Sequence, residues 1–121
     1  MKLRIKGDSL RYRLTQSDLK AFSKTGSIEE SIHFGARKLT YRLLSTDKTG
    51  LSVAFVGDAI TVHFPHAWIQ EWVRTDRVGF DNAPAGQKPD IYLLIEKDFT
   101  CLDEVDEDQS DQFPHPLKQS L

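Results

Sequence analysis

The pattern that most constrains this chain is one it carries twice, 50 residues apart. Gly7-Asp8 recurs as Gly57-Asp58, and each pair sits between runs of alternating apolar residues. Such alternation has the period of a half-buried strand, and glycine supplies the positive φ that a two-residue turn requires. The turns pair Leu3 with Tyr12 and Ile5 with Leu10 in the first copy, and Val53 with Val62 and Phe55 with Ile60 in the second. A short amphipathic segment follows each hairpin, striped by Leu19 and Phe22 or by Trp68, Ile69, Trp72 and Val73. Thr15 with Asp18 reads as an N-cap and loose capping box, Gly26 as a helix stop, and Pro65 as a helix opener. Two further strands close each unit: Ile28–Phe34 and Leu39–Leu43, then Arg77–Phe80 and Ile91–Lys97. A uniform shift of 50 also lays Thr25 on Thr75, Lys38 on Lys88 and Leu43-Leu44 on Leu93-Leu94.

The implied fold is α+β: a duplicated ββαββ unit forming an antiparallel sheet of about eight strands, closed into a barrel or half-barrel. The two helices pack outside, over the apolar strand faces, so the charged faces line the interior. An open sheet with a solvated basic face is the alternative arrangement. Residues 1–102 form a single globular domain, with repeats over about 1–50 and 51–100 and an acidic C-terminal tail over 103–121.

The two copies differ in charge. The first hairpin sets Arg4 opposite Arg11 and Lys2 opposite Arg13, while the second has Ala54 opposite Thr61 and Ser52 opposite His63. Like charges across a strand pair are destabilising, so the first hairpin's face calls for an anion or for intramolecular partners. Lys2, Arg4, Lys6, Arg11, Arg13 and Arg42 are the candidate anion-binding residues, with Lys38 a further candidate for the same lining. Residues 1–95 carry a net +4 and residues 96–121 a net −6. The tail is therefore a candidate intramolecular competitor for that face. A phosphate- or carboxylate-bearing small ligand suits this charge better than nucleic acid, given a pI near 6.1 and few aromatics among the cations.

Other chemistries find little support. His33, His63, His66 and His115 show no metal-ligand spacing, so no metal and no cofactor are implied. Cys101 has no evident base and reads as a small apolar residue. The stretch DEVDEDQSDQ lacks the glycine and terminal glutamate of a calcium loop. No Gly-x-Ser-x-Gly, Walker or dinucleotide fingerprint is present. With one cysteine, no apolar leader and no long apolar run, the chain reads as cytoplasmic.

KLRIKGDSLRYRLTQSDL, SIEESIHFG and IEKDFTCLDEVDEDQSDQFPHP together resemble a family of small uncharacterised bacterial proteins, which implies no activity. The duplicated architecture is similar to the CYTH, or triphosphate tunnel, fold. That resemblance implies polyphosphate binding inside an eight-stranded barrel. Its Glu-x-Glu-x-Lys motif falls on Lys2-Leu3-Arg4-Ile5-Lys6, where Lys6 alone agrees and the metal-holding glutamates are replaced. The vicinal-oxygen-chelate fold also uses repeated units of this kind.

Three functions follow as expectations. The first is a non-enzymatic anion-binding or interaction domain using the basic hairpin face. The second is a divergent tunnel-type phosphohydrolase acting on polyphosphate or nucleoside triphosphate. The third is a protein-interaction module, or a homodimer contact, using the Trp68/Trp72 helix, should Trp68 point outward rather than into the core.

Overall fold

A computed structural model describes residues 1–85, 87–99 and 110–114. In chain order the elements are β1 (Lys2–Ile5), β2 (Ser9–Leu14), α1 (Gln16–Thr25), β3 (Ser27–Phe34) and β4 (Arg37–Thr46). The second half supplies β5 (Ser52–Val56), β6 (Ala59–Pro65), a 3-10 turn (His66–Trp68), α2 (Ile69–Arg74), β7 (Gly79–Asp81) and β8 (Tyr92–Lys97). Both predicted helices and all eight predicted strands form.

The expected single antiparallel sheet does not. The strands make two four-stranded sheets, β1-β2-β8-β7 and β3-β4-β6-β5, and neither closes into a barrel. Each half gives its first hairpin to one sheet and its second hairpin to the other. The hairpins then join at the centre of each sheet through parallel pairs, β2 with β8 and β4 with β6. Parallel neighbours need a long crossover, and the helices with the intervening hairpins provide it.

The expected layering is reversed as well. Tyr12, Leu14, Leu93 and Ile95 of the first sheet and Leu43, Val62 and Phe64 of the second are fully buried in one shared core. Tyr12 reaches from the first sheet to the second, its hydroxyl donating to the Ile60 carbonyl at 3.4 Å. The apolar faces thus turn inward toward each other. The charged faces that were expected to line a barrel turn out to solvent. Burying an apolar face against another costs nothing in desolvation, whereas an interior of opposed cations would be prohibitive.

The two halves pair their strands in the same pattern, with one offset. The first hairpins match at a shift of 50, Leu3↔Tyr12 on Val53↔Val62. The helix ends match too: Thr25 Oγ1 donates to the Ala21 carbonyl and Thr75 Oγ1 to the Glu71 carbonyl. The second hairpins match at a shift of 52, Ile28↔Leu43 on Phe80↔Ile95. The expected equivalences of Lys38 with Lys88 and Leu43-Leu44 with Leu93-Leu94 are therefore two residues out, because the link after α2 is longer.

Helix α1 is capped as its sequence suggests. Thr15 and Asp18 form a complete capping box, and Gly26 closes the other end in the left-handed conformation, φ 76°. The remaining N-terminal amides are met from far along the chain. Gln16 N donates to the Asp111 carbonyl at 3.0 Å and Ser17 N to Asp111 Oδ1 at 3.2 Å. Hydrogen bonds to Thr15 and Ser17 hold the Asp111 carboxyl below its ordinary value. The described part of the acidic tail, 110–114, therefore packs on α1, and Phe113 bridges to Phe99. Cys101, His115 and most of the predicted tail lie outside the described residues.

The helices pack at the C-terminal ends of β2 and β6. Leu19, Phe22, Ile69 and Trp72 are buried there. Trp72 donates its indole N–H to the Val78 carbonyl at 3.2 Å, and Trp68 stacks on Phe80 with centroids 4.8 Å apart. Trp72 is thus buried in the core and Trp68 half-buried against it. At the opposite end the sheets part around the hairpin turns, leaving Ile5, Phe34, Phe55, Val56 and Ile91 exposed.

Candidate functional site

The outer face of the first sheet is built by alternation. With Leu3, Tyr12, Leu93 and Ile95 committed to the core, the residues between them must face out. On β1 and β2 these are Lys2, Arg4, Arg11 and Arg13, with Lys6 and Ser9 closing the hairpin. β8 adds Tyr92, Leu94 and Glu96 beside β2 through the register Ser9↔Tyr92, Arg11↔Leu94 and Arg13↔Glu96. The hairpin register is the predicted one, Lys2↔Arg13 and Arg4↔Arg11.

Glu96 divides this basic face into two parts. Arg11 donates to Glu96 Oε1, and Arg13 Nε approaches the same oxygen at 3.3 Å. Lys2 Nζ lies 3.4 Å from Asp98 Oδ2. Asp98 is itself buried, receiving Gln112 Nε2 at 3.1 Å, while its backbone N–H bonds to the Leu14 carbonyl at 2.8 Å. At this end of the strands the cations are answered by carboxylates.

Toward the turn they are not. Among the described residues, neither Arg4 nor Lys6 has an acidic partner. A recess of about 220 Å3 lies there, lined by Arg4, Lys6, Ser9, Leu10, Arg11, Tyr92 and Leu94. It adjoins a shallow groove of about 480 Å3 that shares Lys6, Ser9 and Tyr92 and adds Lys88 and Asp90. Partial burial, followed by the Asp81 carboxylate, raises the Tyr92 phenol above its ordinary pKa. Tyr92 is therefore a neutral phenol at the recess, hydrogen-bonded to Asp81.

Five of the six predicted residues share this face. Arg42 does not: it lies on the second sheet, its guanidinium donating to Glu29 Oε2 at 2.8 Å and to Thr61 Oγ1 at 3.3 Å. Lys38 is exposed beside the second hairpin turn, on the second sheet. Glu96, Tyr92, Ser9 and Leu94 were not anticipated. A lone carboxylate in the apolar run Tyr92–Lys97 was the available signal, but the parallel pairing that sets it against Arg11 and Arg13 is not encoded locally.

The matching face of the second copy serves as an internal comparison. At the positions of Arg4, Lys6, Ser9 and Arg11 stand Ala54, Val56, Ala59 and Thr61. The same backbone is thus built without the charges. Among the described residues, no group of three His, Cys, Asp or Glu side chains is placed to hold a metal ion.

His63, on the outer face of the second sheet, has Nδ1 buried with no hydrogen-bond partner among the described residues. Burial, and then Lys48, hold its pKa below 6.5. Between that lowered value and 6.5 the unfolded chain binds more protons than the folded one, so stability falls as the pH drops through this window. Urea midpoints measured from pH 7.5 down to about 5 should decline, and His63→Gln should decline less. Parallel curves for the two proteins would contradict the assignment.

The chain belongs to a family of unknown function (DUF7009), which it matches over residues 1–117. No curated protein and no solved structure matches it.

Proposed function

We propose that this member of the family is a non-enzymatic binding domain for a phosphate- or carboxylate-bearing ligand, held on the outer face of the first sheet. The observation that carries this reading is the pairing of Arg4 and Lys6, without acidic partners among the described residues, around a recess that also takes in Arg11 and Tyr92. Arg4 directly faces Arg11, an arrangement costing up to about 1 kcal/mol that Glu96 offsets from the Arg11 side only. The second copy avoids that cost with Ala54 and Thr61. The charge of Arg4 and Lys6, which Glu96 does not answer, is accounted for when an anion sits beside them and shares Arg11 with Glu96. Lys6 supplies a second point charge at the turn, and Ser9 and Tyr92 provide hydroxyls for orientation.

The second sheet lacks this arrangement, because Arg42 is committed to Glu29. The tunnel-type phosphohydrolase would need a closed barrel with an inward basic lining, and neither sheet closes.

Isothermal titration with pyrophosphate and with citrate tests the reading. Arg4→Ala and Lys6→Ala should each weaken binding by about tenfold or more, the equivalent of about 1.4 kcal/mol. Arg42→Ala should leave it unchanged. Without ligand, Arg4→Ala should unfold at the same urea concentration as the parent or slightly higher, because it relieves the contact with Arg11. Absence of binding by the parent, or full affinity in an Arg4→Ala/Lys6→Ala double variant, would overturn the proposal.

A further inference from the structure

We infer that β5 is a self-association edge, through which two copies of this chain join their second sheets antiparallel about a two-fold axis. Among the described residues β5 is the outermost strand of its sheet and pairs only with β6. Exposed edges are ordinarily blunted by charge, proline or bulges. The repeat makes the comparison direct. β1, the equivalent edge, reads Lys-Leu-Arg-Ile and is followed by Lys6, whereas β5 reads Ser-Val-Ala-Phe-Val without a charge. Phe55 and Val56 are 69% and 75% exposed.

The occupant follows from the hydrogen-bond alternation. The residues flanking a two-residue hairpin turn bond to each other, as Lys6 and Ser9 do across Gly7-Asp8. By the same rule Val56, Ala54 and Ser52 spend their backbone groups on β6. Val53 and Phe55 then direct theirs outward. An antiparallel second copy with Ala54 on the two-fold axis sets Val53 opposite the partner's Phe55, and Phe55 opposite the partner's Val53. Both are hydrogen-bonded pairs, giving four backbone bonds between the copies. Each sets an aromatic beside a β-branched side chain, a favoured cross-strand combination. Ala54 meets its own counterpart at the closer, non-hydrogen-bonded spacing, where a small residue fits. Neutrality completes the match, since self-pairing of an uncharged strand opposes no like charges, while the same pairing of β1 would oppose cations. This contact is independent of the Arg4/Lys6 recess, which lies on the other sheet.

A five-residue edge buries little area, so the dimer belongs to the weak, concentration-dependent class. Sedimentation velocity up to about 1 mM protein tests it. The parent should shift from monomer toward dimer mass as concentration rises. Ala54→Arg should stay monomeric, because it places two guanidiniums on the axis. The fold accepts arginine there, as Arg4 at the equivalent position demonstrates. Phe55→Glu, at an exposed side chain, provides a second variant expected to stay monomeric should Ala54→Arg lose its native circular dichroism. A parent that remains monomeric throughout, or a natively folded variant of either kind that dimerises like the parent, overturns the inference.

Discussion

Phe64→Ala should destabilise the protein by about 3–5 kcal/mol, a large part of the stability of a domain this size. Phe64 is fully buried and forms the hub of the aromatic cluster beneath the helices. Its ring stacks on Trp72 with centroids 5.2 Å apart. Phe22 at 5.5 Å, Phe80 at 5.3 Å and Trp68 at 5.8 Å meet it edge-on. Truncation to alanine therefore opens a cavity bordered by four large rings, none small enough to swing in and fill it. Helix α2 should be the first element to loosen. It has six residues and no side-chain N-cap, so tertiary packing rather than propensity keeps it folded. Urea unfolding gives the magnitude, and loss of near-ultraviolet circular dichroism reports the loosened rings. Phe55→Ala, at an exposed ring, should cost under about 1 kcal/mol in the same assay. A loss at Phe64 as small as that would contradict the packing described.

Glu96→Gln should separate stability from ligand affinity, moving them in opposite directions. Glu96 is nearly buried and takes Arg11 and Arg13 on a single carboxylate oxygen. Breaking a fully buried pair costs about 3–5 kcal/mol, but both guanidiniums are about one-third exposed, which reduces the expectation to about 1–3 kcal/mol. The freed Arg11 then faces the recess without a competing carboxylate. Affinity for pyrophosphate should rise by about tenfold, the equivalent of removing one competing charge-assisted bond. Paired titration and urea measurements on this variant check both halves. Weaker binding together with lower stability would mean that Glu96 orients Arg11 for the ligand rather than competing with it.

Much of this fold is legible in short stretches. Gly7-Asp8 and Gly57-Asp58, with φ near 54° and 59°, fix their hairpin registers because a two-residue turn leaves one pairing that keeps every apolar side chain on one face. The capping box at Thr15 and Asp18 is equally local. The mutual docking of the halves is not. Whether β2 pairs in parallel with β8 or antiparallel with another hairpin depends on how the two apolar faces meet, and alternation along a strand looks the same either way. The layering depended on that choice. Closing one sheet would have turned Arg4 inward, whereas apposing two sheets turned it outward. The two residues added after α2 were hidden for a related reason, since strands of period two still match in character when shifted by two.

The candidate site divides along the same line. The row of cations was visible in the first hairpin, because the turn dictates which residues oppose one another. Their neutralisation by Glu96 and Asp98 was not visible, since both carboxylates arrive from more than 80 residues away through the parallel strand. Arg42 looked equivalent to the others in an alternating strand, but the hairpin that carries it joins the other sheet.

The proposed anion site on the first hairpin depends on cations that the second hairpin lacks, Arg4, Lys6 and Arg11 against Ala54, Val56 and Thr61. Titrating labelled protein with pyrophosphate while following backbone amide shifts tests it most directly, with the second copy as an internal control. Saturable shifts should appear at Arg4, Lys6, Ser9, Arg11 and Tyr92, and the equivalent amides of Ala54, Val56, Ala59, Thr61 and Thr40 should stay still. Shifts of equal size in both hairpins, or none at Arg4 and Arg11, would contradict the account.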